Sequence, residues 1–242
     1  MNDVIMTNPV LKVAGLGVAL DGRSVIHGLS FALRSAECLA VIGPNGCGKT
    51  TLLKALMNLI NFKGEVWWNP EARLGYVPQR VAADRQLPLR VRDLLEAKAR
   101  FSKLPATEVD RVSQEIEAGP EILNSRIETL SGGQFQKALI AFALLGWPNV
   151  LLFDEPTASF DELTEGRIYA LLHSLQLQKG ITVILVSHDL SVVYRYADTV
   201  VCLNKDRPCI GPPKEILTPK ALEELYSAPL MYHQHSGEHT EP

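Results

Sequence analysis

The sequence predicts an α/β fold with a doubly wound, largely parallel sheet, and three observations carry that expectation. Short continuous apolar runs, Val150 to Phe153, Thr182 to Val186 and Thr199 to Leu203, have the character of strands buried on both faces. Helical stretches, Glu162 to Gln178 and Leu190 to Tyr196, alternate with them, as parallel sheets require. Between the apolar stretch Cys38 to Ile42 and a helical one, Thr51 to Ile60, lies Gly43-Pro-Asn-Gly-Cys-Gly-Lys-Thr-Thr51, which fits the phosphate-binding template G-x-x-x-x-G-K-[ST].

From the N-terminus, residues 10 to 78 read as strand-rich. The expected strands are Leu11 to Val13, Val18 to Leu20, Leu29 to Leu33, Cys38 to Ile42, Gly64 to Trp68 and Leu74 to Val77. Asp21-Gly22 and Asn69-Pro70 supply turns, and the helix of the phosphate loop interrupts the series. Val91 to Leu104 and Thr107 to Ala118 switch to helical periodicity with mixed charges and stop at Gly119-Pro120, which marks a helical insert. A further apolar helix runs from Gln134 to Leu145 and is closed by Pro148. The polar, histidine-bearing tail from Ser227 is expected to be mobile.

Composition narrows the function. The 242 residues are 46% hydrophobic, enough for one large core or two small ones. The net charge of −3, with both signs interspersed, offers no basic face for phosphate backbones and disfavours a nucleic-acid partner. No apolar run approaches the roughly 20 residues that span a bilayer. The first residues lack the basic-then-apolar order of a signal peptide, so Cys38, Cys47, Cys202 and Cys209 read as reduced thiols, with Cys38 and Cys202 filling core positions.

The motifs point to nucleotide chemistry. A polyphosphate needs backbone N–H groups turned inward, which Gly43, Pro44, Asn45, Gly46, Cys47 and Gly48 would present, a cation at Lys49, and hydroxyls at Thr50 and Thr51, with Thr50 toward Mg²⁺. The helix N-terminus beneath adds its positive dipole end. The same dipole together with Lys49 is expected to lower the thiol pKa of Cys47. A ligand-free glycine turn is the bland alternative, and the strand and helix flanks argue against it. Val150-Leu-Leu-Phe-Asp154-Glu155 then delivers two carboxylates at a strand's C-terminal end, where parallel sheets bind ligands. Asp154 suits Mg²⁺ held through its water shell, and Glu155 suits polarisation of the water that attacks a γ-phosphate; the alternative is a solvated strand end. Ser131-Gly132-Gly133-Gln134, just before a helix, would by itself be read as a helix cap.

Together and in this order, those motifs resemble the ATP-binding subunits of ABC transporters. Gln79 in Tyr76-Val-Pro-Gln, Ser159-Phe-Asp161, and His188 in Val186-Ser-His-Asp fit the same family, so the resemblance covers roughly residues 10 to 220. It implies a P-loop ABC ATPase core with an antiparallel β subdomain and a helical insert at about 88–147, followed by a C-terminal extension, 221–242. It implies ATP and Mg²⁺ as cofactors, Thr50, Gln79 and Asp154 around the metal, and Glu155, His188 and Gln79 in catalysis. It further implies a head-to-tail homodimer in which Ser131, Gly132, Gly133 and Gln134 bind the ATP of the opposite subunit. Hydrolysis would then weaken the closed dimer and drive the conformational cycle.

Three positions depart from the family's pattern. Leu20 stands where many members stack an aromatic ring on adenine, and it is not counted as a site residue; Ala36-Glu37 replaces Gly-Glu; Lys137 replaces a frequent arginine. Leu74 to Gln79, Asp84, Leu87-Pro88, Val201 to Asn204, Ile210 to Leu217 and Tyr232-His-Gln-His235 resemble the ATPase subunits of bacterial zinc and manganese importers, nearest to zinc uptake. That similarity implies a separate integral-membrane permease, indirectly a periplasmic or extracellular metal-binding protein, and a peripheral place on the cytoplasmic face of the membrane. His233, His235 and His239 are candidate zinc ligands or simply part of a polar tail. The alternatives are import of manganese or iron, and a soluble ABC ATPase with a mechanical role in nucleic-acid or ribosome processes. The latter usually carries a long coiled-coil insert or a second nucleotide core.

Overall fold

The computed structural model describes residues 9–79, 88–155, 162–204 and 208–226, the side chains of 162–164 and 224 excepted. Its elements in chain order are β1 (Pro9–Leu20), β2 (Arg23–Arg34), β3 (Cys38–Ile42), α1 (Lys49–Leu56), β4 (Lys63–Trp68), β5 (Leu74–Val77), α2 (Val91–Phe101), α3 (Thr107–Glu115), α4 (Pro120–Leu123), α5 (Gly132–Leu144), β6 (Val150–Asp154), α6 (Glu162–Lys179), β7 (Thr182–Val186), α7 (Leu190–Tyr196), β8 (Thr199–Cys202), β9 (Cys209–Gly211), α8 (Pro213–Ile216) and α9 (Pro219–Tyr226).

Two sheets form. An antiparallel sheet has the order β2-β1-β4, and a mixed sheet has the order β5-β6-β7-β3-β8-β9, parallel except for β9. The central strands β3, β6 and β7 are buried along their whole length, which is why they are apolar without alternation. Side chains nevertheless alternate between faces. Leu151, Phe153, Val183 and Leu185 pack into a core shared with α2, α3, α5 and α6, whereas Val150, Leu152, Ile184 and Val186 pack against α1 and the antiparallel sheet. The helical insert therefore rests on one face of the sheet and the β subdomain on the other.

Several boundaries differ from the sequence reading. Leu11 to Val13 and Val18 to Leu20 belong to one irregular strand, β1, with register shifts around Ala14 to Gly17, which hides the continuity from a pattern of alternation. The helix expected to reach Leu104 ends at Phe101, since Lys103 takes a left-handed φ of 56°. The expectation of four reduced thiols is corrected. Cys202 and Cys209 face each other across the β8–β9 pair with Cα atoms 4.9 Å apart and form a disulfide, a pairing hidden by a β9 too short to be recognised. Cys38 and Cys47 are free and buried. Asp84, Leu87, Ser159 to Asp161 and the histidine-bearing tail lie outside the described residues.

Candidate functional site

Four strand ends converge on one cavity of about 800 Å³. The C-terminal end of β3 leads into the phosphate loop, β5 ends near Gln79, β6 delivers Asp154 and Glu155, and β7 leads to His188. Gly43, Pro44, Asn45, Gly46, Gly48, Lys49, Thr50 and Thr51 line the cavity with Gln79, Glu155 and His188, so eleven residues expected from sequence meet in one place. The loop's path demands glycine at two points. At Gly43, φ 147°, a Cβ would stand 2.5 Å from the Leu203 carbonyl oxygen and 2.7 Å from the Cys47 sulfur; at Gly48, φ 104°, it would meet Val25 at 2.6 Å. Gly48 caps α1 with no side-chain acceptor, which leaves the first-turn N–H groups for a ligand.

The charged groups form a closed circuit. Lys49, 6% exposed, donates to the carbonyl oxygen of Gly43 at 2.9 Å and pairs with Glu155 Oε1 at 3.2 Å. Gln79 Nε2 donates to Glu155 Oε2 at 2.6 Å, so both carboxylate oxygens are engaged. Glu155 reaches this position because it turns out of β6 with a left-handed φ of 46° while its N–H stays bonded to Val186 O at 3.2 Å. Beneath it Asp154 is buried and accepts from the Thr50 hydroxyl at 3.0 Å and the Tyr76 hydroxyl at 3.3 Å. Burial raises the Asp154 pKa, and those two hydrogen bonds oppose the rise. Burial beside that carboxylate pushes the Tyr76 phenol up to about 12.

His188 projects from a fixed turn. Ser187 before it is buried, and Asp189 after it caps α7 by accepting from Ser191 N at 2.8 Å and Val192 N at 3.3 Å. The hydroxyl of Thr50 and the carboxylate of Asp154 are hard oxygen donors side by side, a set that fits Mg²⁺.

Three expectations change on inspection of the site. Cys47 lies under the loop, 7% exposed, and burial pushes its thiol up rather than down, with Lys49 only opposing that rise. Leu20, left out of the sequence-based site, lines the cavity with Val25 and is 43% exposed, an apolar ledge where a base ring can rest. Tyr76 and Tyr226 also belong to the neighbourhood of the site. Tyr76 sits in the quoted Tyr-Val-Pro-Gln run; Tyr226 carries no motif.

Ser131, Gly132, Gly133 and Gln134 are not part of this cavity. Ser131 caps α5: its hydroxyl accepts from Gln134 N at 3.3 Å, while Gln134 Oε1 accepts from Ser131 N at 3.0 Å. Gly133 and Gln134 line a separate space of about 580 Å³ between α5, α6 and the insert. Lys137 donates to the Glu117 carbonyl oxygen at 3.1 Å, a single bond that does not need an arginine's fork.

The model of the family described as ABC transporter matches residues 26–158, more than half of the chain. The chain belongs to the ABC transporter family. A Pseudomonas entomophila relative named zinc import ATP-binding protein ZnuC is 35% identical, over 97% of this chain and 92% of its own length. One of the same name from Ruegeria pomeroyi is 37% identical, over 87% of this chain and 81% of its own. Among solved structures, one described as an inward-facing conformation of a metal-chelate type ABC transporter superposes with a TM-score of 0.84 at 27% identity, covering 92% of this chain and 90% of that one. As an ABC ATPase, the chain binds ATP, and the matched residues include the Gly43–Thr51 loop that lines the cavity at the strand ends.

Proposed function

We propose that this chain is the ATP-hydrolysing subunit of a divalent metal-ion importer, with zinc as the ion and a membrane permease as its partner. The observation that carries the reading is near-full-length similarity to relatives named for zinc import, joined to a cavity that holds a phosphate loop, a paired carboxylate and a histidine. No helix among the described residues is long and apolar enough to cross a membrane, which fits a subunit that leaves passage of the ion to a permease at the cytoplasmic face. A binding protein outside the membrane would hand over the ion. The import names favour this reading over a soluble mechanical ATPase.

In the mechanism we infer, nucleotide arrives at a site whose cation and base are paired with each other. The phosphates draw Lys49 away from Glu155 and from the Gly43 carbonyl, and the N–H groups of the loop and of the first turn of α1 donate to their oxygens. Glu155, released from Lys49, accepts a proton from the attacking water, while His188 stands across the cavity to contact the γ-phosphate. Thr50, Asp154 and Gln79 would hold Mg²⁺, which neutralises charge on the phosphate oxygens. Ser131 to Gln134 would complete the site of a second copy, because a capped helix start facing away from its own cavity can add donors only to another chain's nucleotide. The chain is accordingly read as a nucleotide-binding core, 10–220, with its insert at about 88–147, and an extension, 221–242. Co-purification of its membrane partner, followed by uptake of radioactive zinc into vesicles that contain the complex, tests the proposal. Uptake that is independent of ATP, or of this subunit, would overturn it.

A further inference from the structure

The last described helix enters the nucleotide cavity. Helix α9 is fixed by Leu225, which is buried against Ala40 and Ile42 of β3 and Val200 and Cys202 of β8. That anchor sets the next residue, Tyr226, into the wall of the cavity beside the phosphate loop. Its hydroxyl is buried and has no hydrogen-bond partner among the described residues. The backbone N–H of Gly43 bears on the phenolic oxygen, yet the contact lacks the geometry of a formed bond. A buried hydroxyl left in that state is unfavourable, and a small movement of the loop would relieve it.

Gly43 is also the residue whose carbonyl oxygen accepts from Lys49, at 2.9 Å. Transfer of Lys49 to a polyphosphate releases that carbonyl and lets the Gly43 peptide reorient. We propose that Tyr226 is a positioning residue of the nucleotide site: its hydroxyl accepts from the Gly43 N–H once the loop closes on phosphate, and α9 is thereby clamped to the loop only in the loaded state. The C-terminal segment would then report nucleotide occupancy to whatever follows it in the chain. Nothing in a tyrosine at the end of a short amphipathic helix announces this; the anchor at Leu225 and the orphaned hydroxyl do.

The inference rests on the cavity being the nucleotide site, so the experiment separates the two. With the full chain, MgADP affinity is measured by calorimetry for the wild type, Tyr226→Phe and Lys49→Ala, and amide hydrogen exchange of residues 219–226 is followed with and without MgADP. Thermal melting without nucleotide checks that each variant folds. Removing one neutral hydrogen bond should weaken MgADP binding by about two- to tenfold in Tyr226→Phe. Exchange at α9 should slow on MgADP binding in the wild type and not in Tyr226→Phe. Wild-type affinity in Tyr226→Phe, or nucleotide-independent exchange at α9 in the wild type, would overturn the clamp. Lys49→Ala binding MgADP as tightly as the wild type would instead overturn the site itself.

Discussion

Replacing Glu155 by glutamine should do two opposite things, and the structure sets the size of each. Glu155 is the partner of Lys49 at 3.2 Å and of Gln79 at 2.6 Å, with side-chain exposures of 6% for Lys49 and 12% for Glu155. Nucleotide must break the first of these contacts before it gains Lys49. Lys49 keeps its charge, so its bond to the amide oxygen stays charge-assisted, but the carboxylate's Coulomb attraction, about 1 kcal/mol or more at this separation, is lost and the amide should hold Lys49 about 1 kcal/mol less tightly. That difference corresponds to roughly fivefold tighter binding of MgATP. The amide must also point its oxygen at Lys49, which turns its NH₂ toward the NH₂ of Gln79, and the Gln79 amide must flip to restore its bond. Hydrolysis should meanwhile fall by about 10²–10⁴, because an amide cannot take the water's proton. Equilibrium binding of a fluorescent ATP analogue and a phosphate-release assay measure both. Turnover equal to wild type would remove Glu155 from the base role, and weaker binding in the variant would refute the idea that its carboxylate restrains Lys49.

Tyr76→Phe removes a bond to buried Asp154, so the Mg²⁺ concentration for half-maximal nucleotide binding should rise about two- to tenfold while metal-free binding stays the same; titration with Mg²⁺ decides. Ala36 holds a left-handed φ of 63°, which costs an alanine about 1–2 kcal/mol, and glycine's extra unfolded-state freedom offsets only part of this. Ala36→Gly should therefore raise the melting temperature by about 2 °C, and a drop would refute the strain argument. Cys38 is buried and its thiol is pushed up to about 12, so the fold keeps it neutral. Its contribution is fully present below the unfolded thiol pKa, near 9, and is lost as pH rises toward 12; Cys38→Ala should flatten that stretch of a stability–pH curve. Cys47, buried with a raised pKa, should react with maleimide more slowly at pH 7 than a free thiol does, and MgATP should slow it further; equal labelling with and without MgATP would place it outside the nucleotide's shadow.

What the sequence disclosed was the part of the site written in short contiguous runs. Gly43 to Thr51, Asp154-Glu155 and His188 are each local patterns at a strand end, and a parallel sheet brings strand ends together wherever the strands are correctly identified. Strands β3, β6 and β7 were legible for the same reason: burial on both faces keeps them apolar apart from Thr182 at the start of β7 and Asp154 at the end of β6. Elements that depend on long-range partners were not. Strand β9 has three residues and owes its existence to β8, and the Cys202–Cys209 pair follows from that pairing rather than from any cysteine spacing. The misjudged Cys47 shows the same limit in electrostatics, since a dipole and a lysine are visible in sequence while the burial that outweighs them comes from the folded core the residue joins.

Tyr226 is the far end of that scale, 183 residues from Gly43 and set beside it only because Leu225 fits between β3 and β8. Ser131 to Gln134 fail to join the cavity for a different reason. The Ser131 hydroxyl and the Gln134 side-chain oxygen already accept from the backbone N–H groups of Gln134 and Ser131, a capping box that spends both side chains within the first turn of α5 and leaves the intervening Gly133 to face a space other than this cavity. One chain thus carries two glycine-bearing helix starts, at Gly48 and at Ser131, that open into different spaces. Under the proposed function, a second copy turned head to tail would bring one of each to the same triphosphate, and assembly and ATP binding would then be a single equilibrium that neither motif specifies alone.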